Sequence, residues 1–438
     1  MTRVALGFAL FLSPHLALAA PFAKGPYLQE CSATGVSVRV EVDPPTPLRV
    51  EIVDPSGTSR TVESKDTARF HAVRVGGLSP GTRYAYTVHS AATRAGGTFL
   101  TAPADNATGP LQFLLYGDNR TDDVAHGRVV RGLAGAEGAF FIHTGDFVES
   151  GASAPDWQRF FDLETPLLQN RCVFGAVGNH ELLDDQSASA FVRYFGPTDA
   201  AGLLYSTFRW QNARFFVLNA FQRWESGDQR TWLERELRNS DTEAGLTWRF
   251  VVMHQGPYSS GPHGHHARLH KAQIPELFVA HHVDLVFSGH DHLYERGEVQ
   301  GLHYVLSGGG GAPLYPVRHP HPGSRRTESI HHWVELTAEG VSIKLVARRA
   351  DGSVLERCGF TKGSPWDCDA PAAQPGSSSL LPAPAPSMPL LTQEPRAKCG
   401  CHAVGAPTSM PLPALPLALA FLRRRRARRE PRTSPPHD

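Results

Sequence analysis

The chain of 438 residues lacks two things that would have narrowed its function at once. Neither of its terminal apolar stretches reaches the roughly 20 residues that a membrane-crossing helix needs. Nor is there an excess of charge: Lys and Arg number 43 against 42 Asp and Glu, for a formal net charge of +1. Seven arginines from Arg423 onward, set against Glu430 and Asp438, carry +5 of that, so the remainder stands at −4. A mildly acidic body excludes a polyanion such as nucleic acid as the expected partner. Cysteine is scarce, with six in the chain, whereas Gly (41) and Pro (35) are plentiful and imply many turns and at least one linker. The length suits two folded domains with tails.

Residues Met1 to Ala20 carry Arg3, an apolar run through Leu12 and a small-residue end at Ala17 to Ala20. This is the pattern of a secretory signal peptide, residues 1–20. Export favours bridges over free thiols, and Cys358 with Cys368 is expected to form a local disulfide. Cys31 and Cys172 form a second one if the two domains pack through those segments; otherwise each is a buried thiol. From Asp369 the composition shifts to PAAQPGSSSLLPAPAPSMP, an extended linker over 369–398. Cys399, Gly400 and Cys401 then precede an apolar stretch, Leu412 to Leu422, and the basic run Arg423 to Arg426. The order over 399–430 resembles the C-terminal sorting tails of myxobacterial surface proteins, which implies processing and attachment to the membrane or cell surface. Pro411, Pro413 and Pro416 interrupt the apolar part. No aromatic residues are interleaved with the arginines, so retention on the inner face of a membrane explains them better than nucleic-acid binding.

Residues 22–103 alternate in the manner of strands, with Val36, Val38, Val40 and Val42 on one face and Val50 and Ile52 further on. Turn signals at Pro44–Pro45, Pro55–Gly57, Gly76–Gly77 and Ser79–Gly81 separate them. An all-β sandwich is expected. The run Leu78 to Val88 resembles the late hairpin of fibronectin type III domains, and Gly25 to Gln29 resembles the opening of the N-terminal domain of purple acid phosphatases. Packing beside a catalytic domain is its expected role, with adhesion as the alternative.

After the connection 104–110, apolar runs alternate with helical patterns, as in an α/β domain. Five of those runs end in polar clusters: Gly117-Asp118-Asn119-Arg120, Gly145-Asp146, Gly178-Asn179-His180-Glu181, His254-Gln255-Gly256-Pro257, and Ser288-Gly289-His290-Asp291-His292. Strand ends of such a sheet converge on one edge, so five segments can supply one crevice. Carboxylates, an amide oxygen and several imidazoles are donors for Mn, Fe or Zn, and one carboxylate can bridge two ions about 3.5–4 Å apart.

All five clusters in this order resemble the calcineurin-like metallophosphoesterases, here over 110–362. The purple acid phosphatase branch is the nearest likeness, because His292 is followed by Leu293-Tyr294-Glu295-Arg296. The resemblance implies a two-sheet β sandwich flanked by helices and a pair of metal ions, Fe, Mn or Zn. It places Asp118 and His292 on one ion, Asn179, His254 and His290 on the other, and Asp146 between them. It makes His180, oriented by Glu181, the proton donor to the leaving group while metal-bound hydroxide attacks phosphorus in line.

Two departures follow. The tyrosine that colours the purple enzymes would stand three residues after the bridging Asp, where this chain has Glu149, so no purple chromophore is expected. Many members carry DxH at the first cluster, where this chain has Asp118-Asn119-Arg120, leaving the first ion one ligand short. Glu149 or Asn119 is a possible replacement ligand, and Arg120 and His263 are candidate phosphate contacts. His143 is expected to be a satisfied core histidine, and His281, His282, His319, His321, His331 and His332 to lie at the surface. The expected activity is phosphomonoester hydrolysis of the acid phosphatase kind. The alternatives are phosphodiester or nucleotide hydrolysis at the same centre, and a non-catalytic surface adhesin with a vestigial metal site.

Overall fold

The structure is a computed structural model and describes residues 22–91, 93–197 and 203–369. The expected signal peptide, the linker beyond Asp369 and the sorting tail lie outside the described residues. Among the described residues no helix is long and apolar enough to cross a membrane.

Seven strands make the N-terminal part. Lys24–Gln29, Gly35–Glu41 and Phe70–Gly76 form one antiparallel sheet, and Ser59–Ser64, Leu48–Val53, Arg83–Ser90 and Thr93–Leu100 form another. Their alternating apolar residues, among them Val36, Val38, Val40, Val50, Ile52, Val75 and Val88, are buried in one cluster. Alternation predicts a single buried face on Gly35–Glu41, yet all seven of its residues are buried. The polar face is covered as well, by the segment around Tyr194. Arg39 donates to the carbonyl oxygens of Tyr194 and Gly196 at 2.9 and 2.7 Å, and the Tyr194 hydroxyl donates to Glu41 at 3.2 Å. Buried charges survive because each is paired or hydrogen-bonded. A disulfide joins Cys31 to Cys172 across the same contact, with Cα atoms 6.2 Å apart, and a second joins Cys358 to Cys368.

Two mixed seven-stranded sheets make the rest. In the first, Cys172–Gly175, Phe140–His143 and Leu111–Tyr116 run parallel and continue antiparallel through His332–Glu339, Ser342–Arg349, Val354–Thr361 and Asp367–Cys368. In the second, Ala213–Leu218, Trp248–Met253, Leu285–Ser288 and Leu302–Ser307 run parallel. Parallel strands buried on both faces read as continuous apolar runs, which is what residues 250–253 of Trp248–Met253 show. Phe113 sits where the sheets meet, its ring 5.4–5.8 Å from those of Phe140, Phe215, Phe250 and Phe287. The strands that share this aromatic knot include four of those that lead into the polar clusters. One set of inward side chains thus fixes how the ligand loops stand relative to one another.

Helices flank the sheets. Asp123–Gly135 begins at Asp122, whose carboxylate accepts from the N–H groups of Val124 and Ala125, and Ala154–Leu168 begins at Ser153, which caps Asp156. The aromatic and aliphatic residues of Trp157 to Leu168 pack inward as their spacing predicts, and so do Leu233 and Leu237 of Asp228–Asp241. His332 departs from expectation. It is buried, with its Nε2 3.0 Å from the Ser307 hydroxyl, because Gly309 packs on it and accepts from its backbone N–H at 3.0 Å.

Candidate metal centre

The five polar clusters meet at one edge, and the backbone bends sharply to bring them there. Asp118, Asp146 and His290 each have a left-handed φ, of 56°, 56° and 72°. Such values are uncommon outside glycine and mark positions that surrounding structure must enforce. In the last cluster the left-handed turn falls on His290 rather than on the preceding Gly289. Gly289 is needed for a different reason: a Cβ there would lie 2.1 Å from Asp118 Oδ2. Gly178 is confined in the same way, 2.1 Å from Asp146 Oδ1. The two carboxylates are thus seated directly against backbone.

Asp118, Asp146, His254 and His292 are almost completely buried. Asp118 Oδ1 lies 3.7 Å from His292 Nε2, and its two oxygens each accept from the His290 N–H at 3.1 Å. Asp146 turns Oδ1 toward His254 Nε2 at 3.3 Å and Oδ2 toward His180 Nε2 at 3.8 Å. His254 Nε2 is also 3.1 Å from Asn179 Oδ1 and 3.2 Å from His290 Nδ1. All six residues expected as ligands are therefore brought together. The ligating atoms of Asp118, Asp146 and His292 lie within 4.8 Å of one another.

Outer hydrogen bonds fix the imidazoles. His254 Nδ1 donates to the Thr144 carbonyl at 2.9 Å and His292 Nδ1 to that of Pro313 at 2.7 Å, so each turns Nε2 into the centre. Burial pushes Asp118 up to about 8, against the lowering influence of His254. Burial acts the same way on Asp146, but the charge and hydrogen bond of His254, with His180 and Arg120, outweigh it and hold the carboxyl below its usual range. Burial lowers His254, yet Asp146 and Asp118 raise it to about 9. His290 falls to about 2 and His292 to about 4, chiefly through burial, with His254 adding to the fall at His290. Buried carboxyl groups set against the imidazoles of His290 and His292, which burial holds toward their neutral forms, are a donor set that calls for cations. The residues present fit a metal centre. Among the described residues one other group of metal-type residues, Glu356 with Cys358 and Cys368, has its sulfurs tied in the disulfide.

The remaining expected residues stand around this core. Arg120 donates to Asp146 Oδ2 at 3.3 Å and to Glu149 at 2.6 Å, and Glu149 also accepts from the Thr121 hydroxyl. Asn119 turns inward, its Oδ1 2.5 Å from His143 Nε2. His143 is a satisfied core histidine as expected, since its Nδ1 accepts from the Gly145 N–H. His263 pairs through Nδ1 with Asp291 at 2.8 Å and keeps its ring partly exposed. Glu181 does not orient His180. It accepts the N–H groups of Gly178, Asp146, Phe147 and Val148 at 2.7–3.3 Å, while His180 Nδ1 meets the Glu149 carbonyl. Sequence reasoning missed this role of Glu181. The signal available was a carboxylate directly after a ligand cluster, in a stretch otherwise short of partners for loop N–H groups.

Residues 115–294 match the calcineurin-like phosphoesterase family model. An uncharacterized protein of Mycobacterium tuberculosis is 30% identical over 288 residues, covering 56% of this chain and 54% of that protein. Purple acid phosphatase 21 of Arabidopsis thaliana is 28% identical over 279 residues, 58% of this chain and 61% of that one. The chain spans about half the length of the curated relatives it matches. Among solved structures, a purple acid phosphatase from yellow lupin (Lupinus luteus) seeds superposes with a TM-score of 0.65 at 17% identity, covering 77% of this chain and 74% of that one. PhoD superposes with a TM-score of 0.66 at 13% identity, covering 81% and 94%. At these identities the structural likeness is one of fold. The segment that carries all the expected ligands is thus a calcineurin-like metallophosphoesterase domain, with purple acid phosphatases among the chain's homologues and structural neighbours.

Proposed function

We propose that the chain is a dinuclear metal-dependent phosphoesterase that hydrolyses phosphomonoesters. The observation that carries this reading is the pair of buried carboxylates, Asp118 and Asp146, faced by imidazole nitrogens whose direction is fixed from outside. Asp118 and His292 would hold one ion, Asn179, His254 and His290 the other, and Asp146 would be shared between them. Bound Fe, Mn or Zn supplies Lewis acidity and lowers the pKa of water. The chain's own residues do the rest. His180, anchored through Nδ1, would in its doubly protonated form hand the Nε2 proton to the departing oxygen and be left neutral with its Nδ1 proton on the Glu149 carbonyl. His263, whose ring lies 4.1 Å from that of His290, would meet a phosphoryl oxygen.

The domain boundaries follow the same reading: a fibronectin type III-like module over 22–103 that packs against a metallophosphoesterase domain over 110–362. Two disulfides suit an oxidising compartment, which supports export and, through the C-terminal tail, surface attachment. The deciding experiment is an assay of the purified chain, reloaded with Mn, Zn or Fe, on an aryl phosphomonoester and the matching diester. Turnover of the monoester in preference to the diester is expected. Absence of turnover on both, with metal bound, removes the proposal.

A further inference from the structure

Arg120 follows Asp118 by two residues and folds back into the centre. Its side chain is only 10% exposed. Nε donates to Asp146 Oδ2 at 3.3 Å, Nη1 to Glu149 Oε2 at 2.6 Å, and Nη2 lies 3.4 Å from His292 Nε2. His292 Nδ1 is committed to the Pro313 carbonyl, so the nitrogen facing the guanidinium is the one with a lone pair to give. Arg120 therefore engages both of the residues, Asp146 and His292, whose ligating atoms gather with those of Asp118. The opposite half of the centre is different. Among the described residues no Lys or Arg hydrogen-bonds or ion-pairs with Asn179, His254 or His290.

A guanidinium cannot shed its proton, and a divalent cation brought beside it inside a poorly solvated site is strongly repelled. The same guanidinium holds the Asp146 carboxylate through a charge-assisted hydrogen bond. We infer that the two halves of the centre load unequally. The Asn179, His254 and His290 half takes the first divalent ion. Arg120 competes with the second ion for Asp146 and His292, and moves outward onto Glu149 when that ion enters. Glu149 is suited to receive it, since its carboxylate is half exposed and already held by Thr121. The inference rests on the dinuclear reading of the centre. It adds an internal competitor that sets the order and strength of metal uptake.

The test titrates Mn2+ into the full chain, stripped of metal, by calorimetry and follows its electron paramagnetic resonance. In the wild type the first equivalent is expected to enter tightly with the spectrum of an isolated ion, and the second to bind at least about tenfold more weakly. Arg120→Gln should tighten the second site about tenfold while leaving the first within about twofold. Circular dichroism establishes that the variant is folded. Arg120→Lys, which keeps the charge, should retain the wild-type inequality. Should the glutamine variant fail to fold, the wild-type titration still decides. Two ions of equal affinity, or a coupled-pair spectrum from the first equivalent, overturn the inference. So does an unequal wild type whose gap is unchanged in folded Arg120→Gln. Equal loading together with phosphomonoester turnover overturns this inference alone, whereas no bound Mn2+ overturns it along with the dinuclear reading.

Discussion

The Nδ1 of His180 stands 2.6 Å from the carbonyl oxygen of Glu149. A carbonyl only accepts, so Nδ1 carries a proton and the ring presents Nε2 to the centre. Replacing His180 with Ala should lower kcat on alkyl phosphomonoesters by about 10²- to 10⁴-fold. Aryl esters, whose leaving groups need less help from an acid, should lose less. Metal content should not change. An equal loss on both ester classes in steady-state kinetics would show that His180 does not donate the proton.

Glu181 is fully buried and pushed up to about 7, by burial first and then by the neighbouring charge of Asp146, against the pull of the N–H groups it accepts. Glu181→Gln keeps one accepting oxygen and sets an amide NH2 against backbone N–H groups. The loss of two such bonds costs about 1–3 kcal/mol. A drop of several degrees in Tm is expected, together with weaker metal binding as the Asp146 loop loosens. Unchanged metal affinity in a folded Glu181→Gln would mean that the loop is held without it.

The ligands are legible because chemistry forces them into an unusual place. A carboxylate or imidazole directly after an apolar run has little reason to be there unless a strand end delivers it to a crevice, and Asp118, Asp146, His254 and His290 all read that way. The roles of Glu181, Arg39 and His332 are not legible, because each depends on a partner far along the chain. Glu181 serves the N–H of Asp146, 35 residues earlier. Arg39 reaches carbonyls more than 150 residues away, so its alternating strand looks half-exposed until the second half of the molecule covers it. Arg120 lies between these cases. Its position is legible as a departure from DxH, but its grip on both Asp146 and His292 emerges only when strands from both sheets are in place.

Cys31 and Cys172 close a span of 141 residues. A cross-link of that reach restricts the unfolded chain by an amount worth up to about 5 kcal/mol in the chain-entropy account, against about 3 kcal/mol for the short Cys358–Cys368 loop. The double variant Cys31→Ser/Cys172→Ser should melt at a lower temperature than Cys358→Ser/Cys368→Ser. A reductant should lower the wild-type melting temperature by more than it lowers that of Cys31→Ser/Cys172→Ser. Calorimetric scans with and without reductant check both, and the opposite ranking would mean that native contacts dominate over loop entropy.

Glu41 accepts from Lys24 at 2.9 Å, Arg69 at 3.2 Å and the Tyr194 hydroxyl at 3.2 Å, where the N-terminal sheet meets the segment around Tyr194. Burial works to raise its carboxyl, but Lys24, Tyr194 and Arg69 outweigh it, so its folded pKa lies below the ordinary 4.5. A depressed carboxylate contributes stability that is present above the unfolded pKa and lost as pH falls through the folded one. Glu41→Gln should therefore be less stable than the wild type at pH 7, by about 1–3 kcal/mol. That gap should hold down to about pH 5 and close as the pH drops further, because the wild-type carboxylate then takes up a proton and loses the advantage that the variant never had. Urea unfolding of both proteins across pH 7 to 3 measures the gap directly. A difference that stays constant over that range would assign the stabilisation to packing rather than to the charge on Glu41.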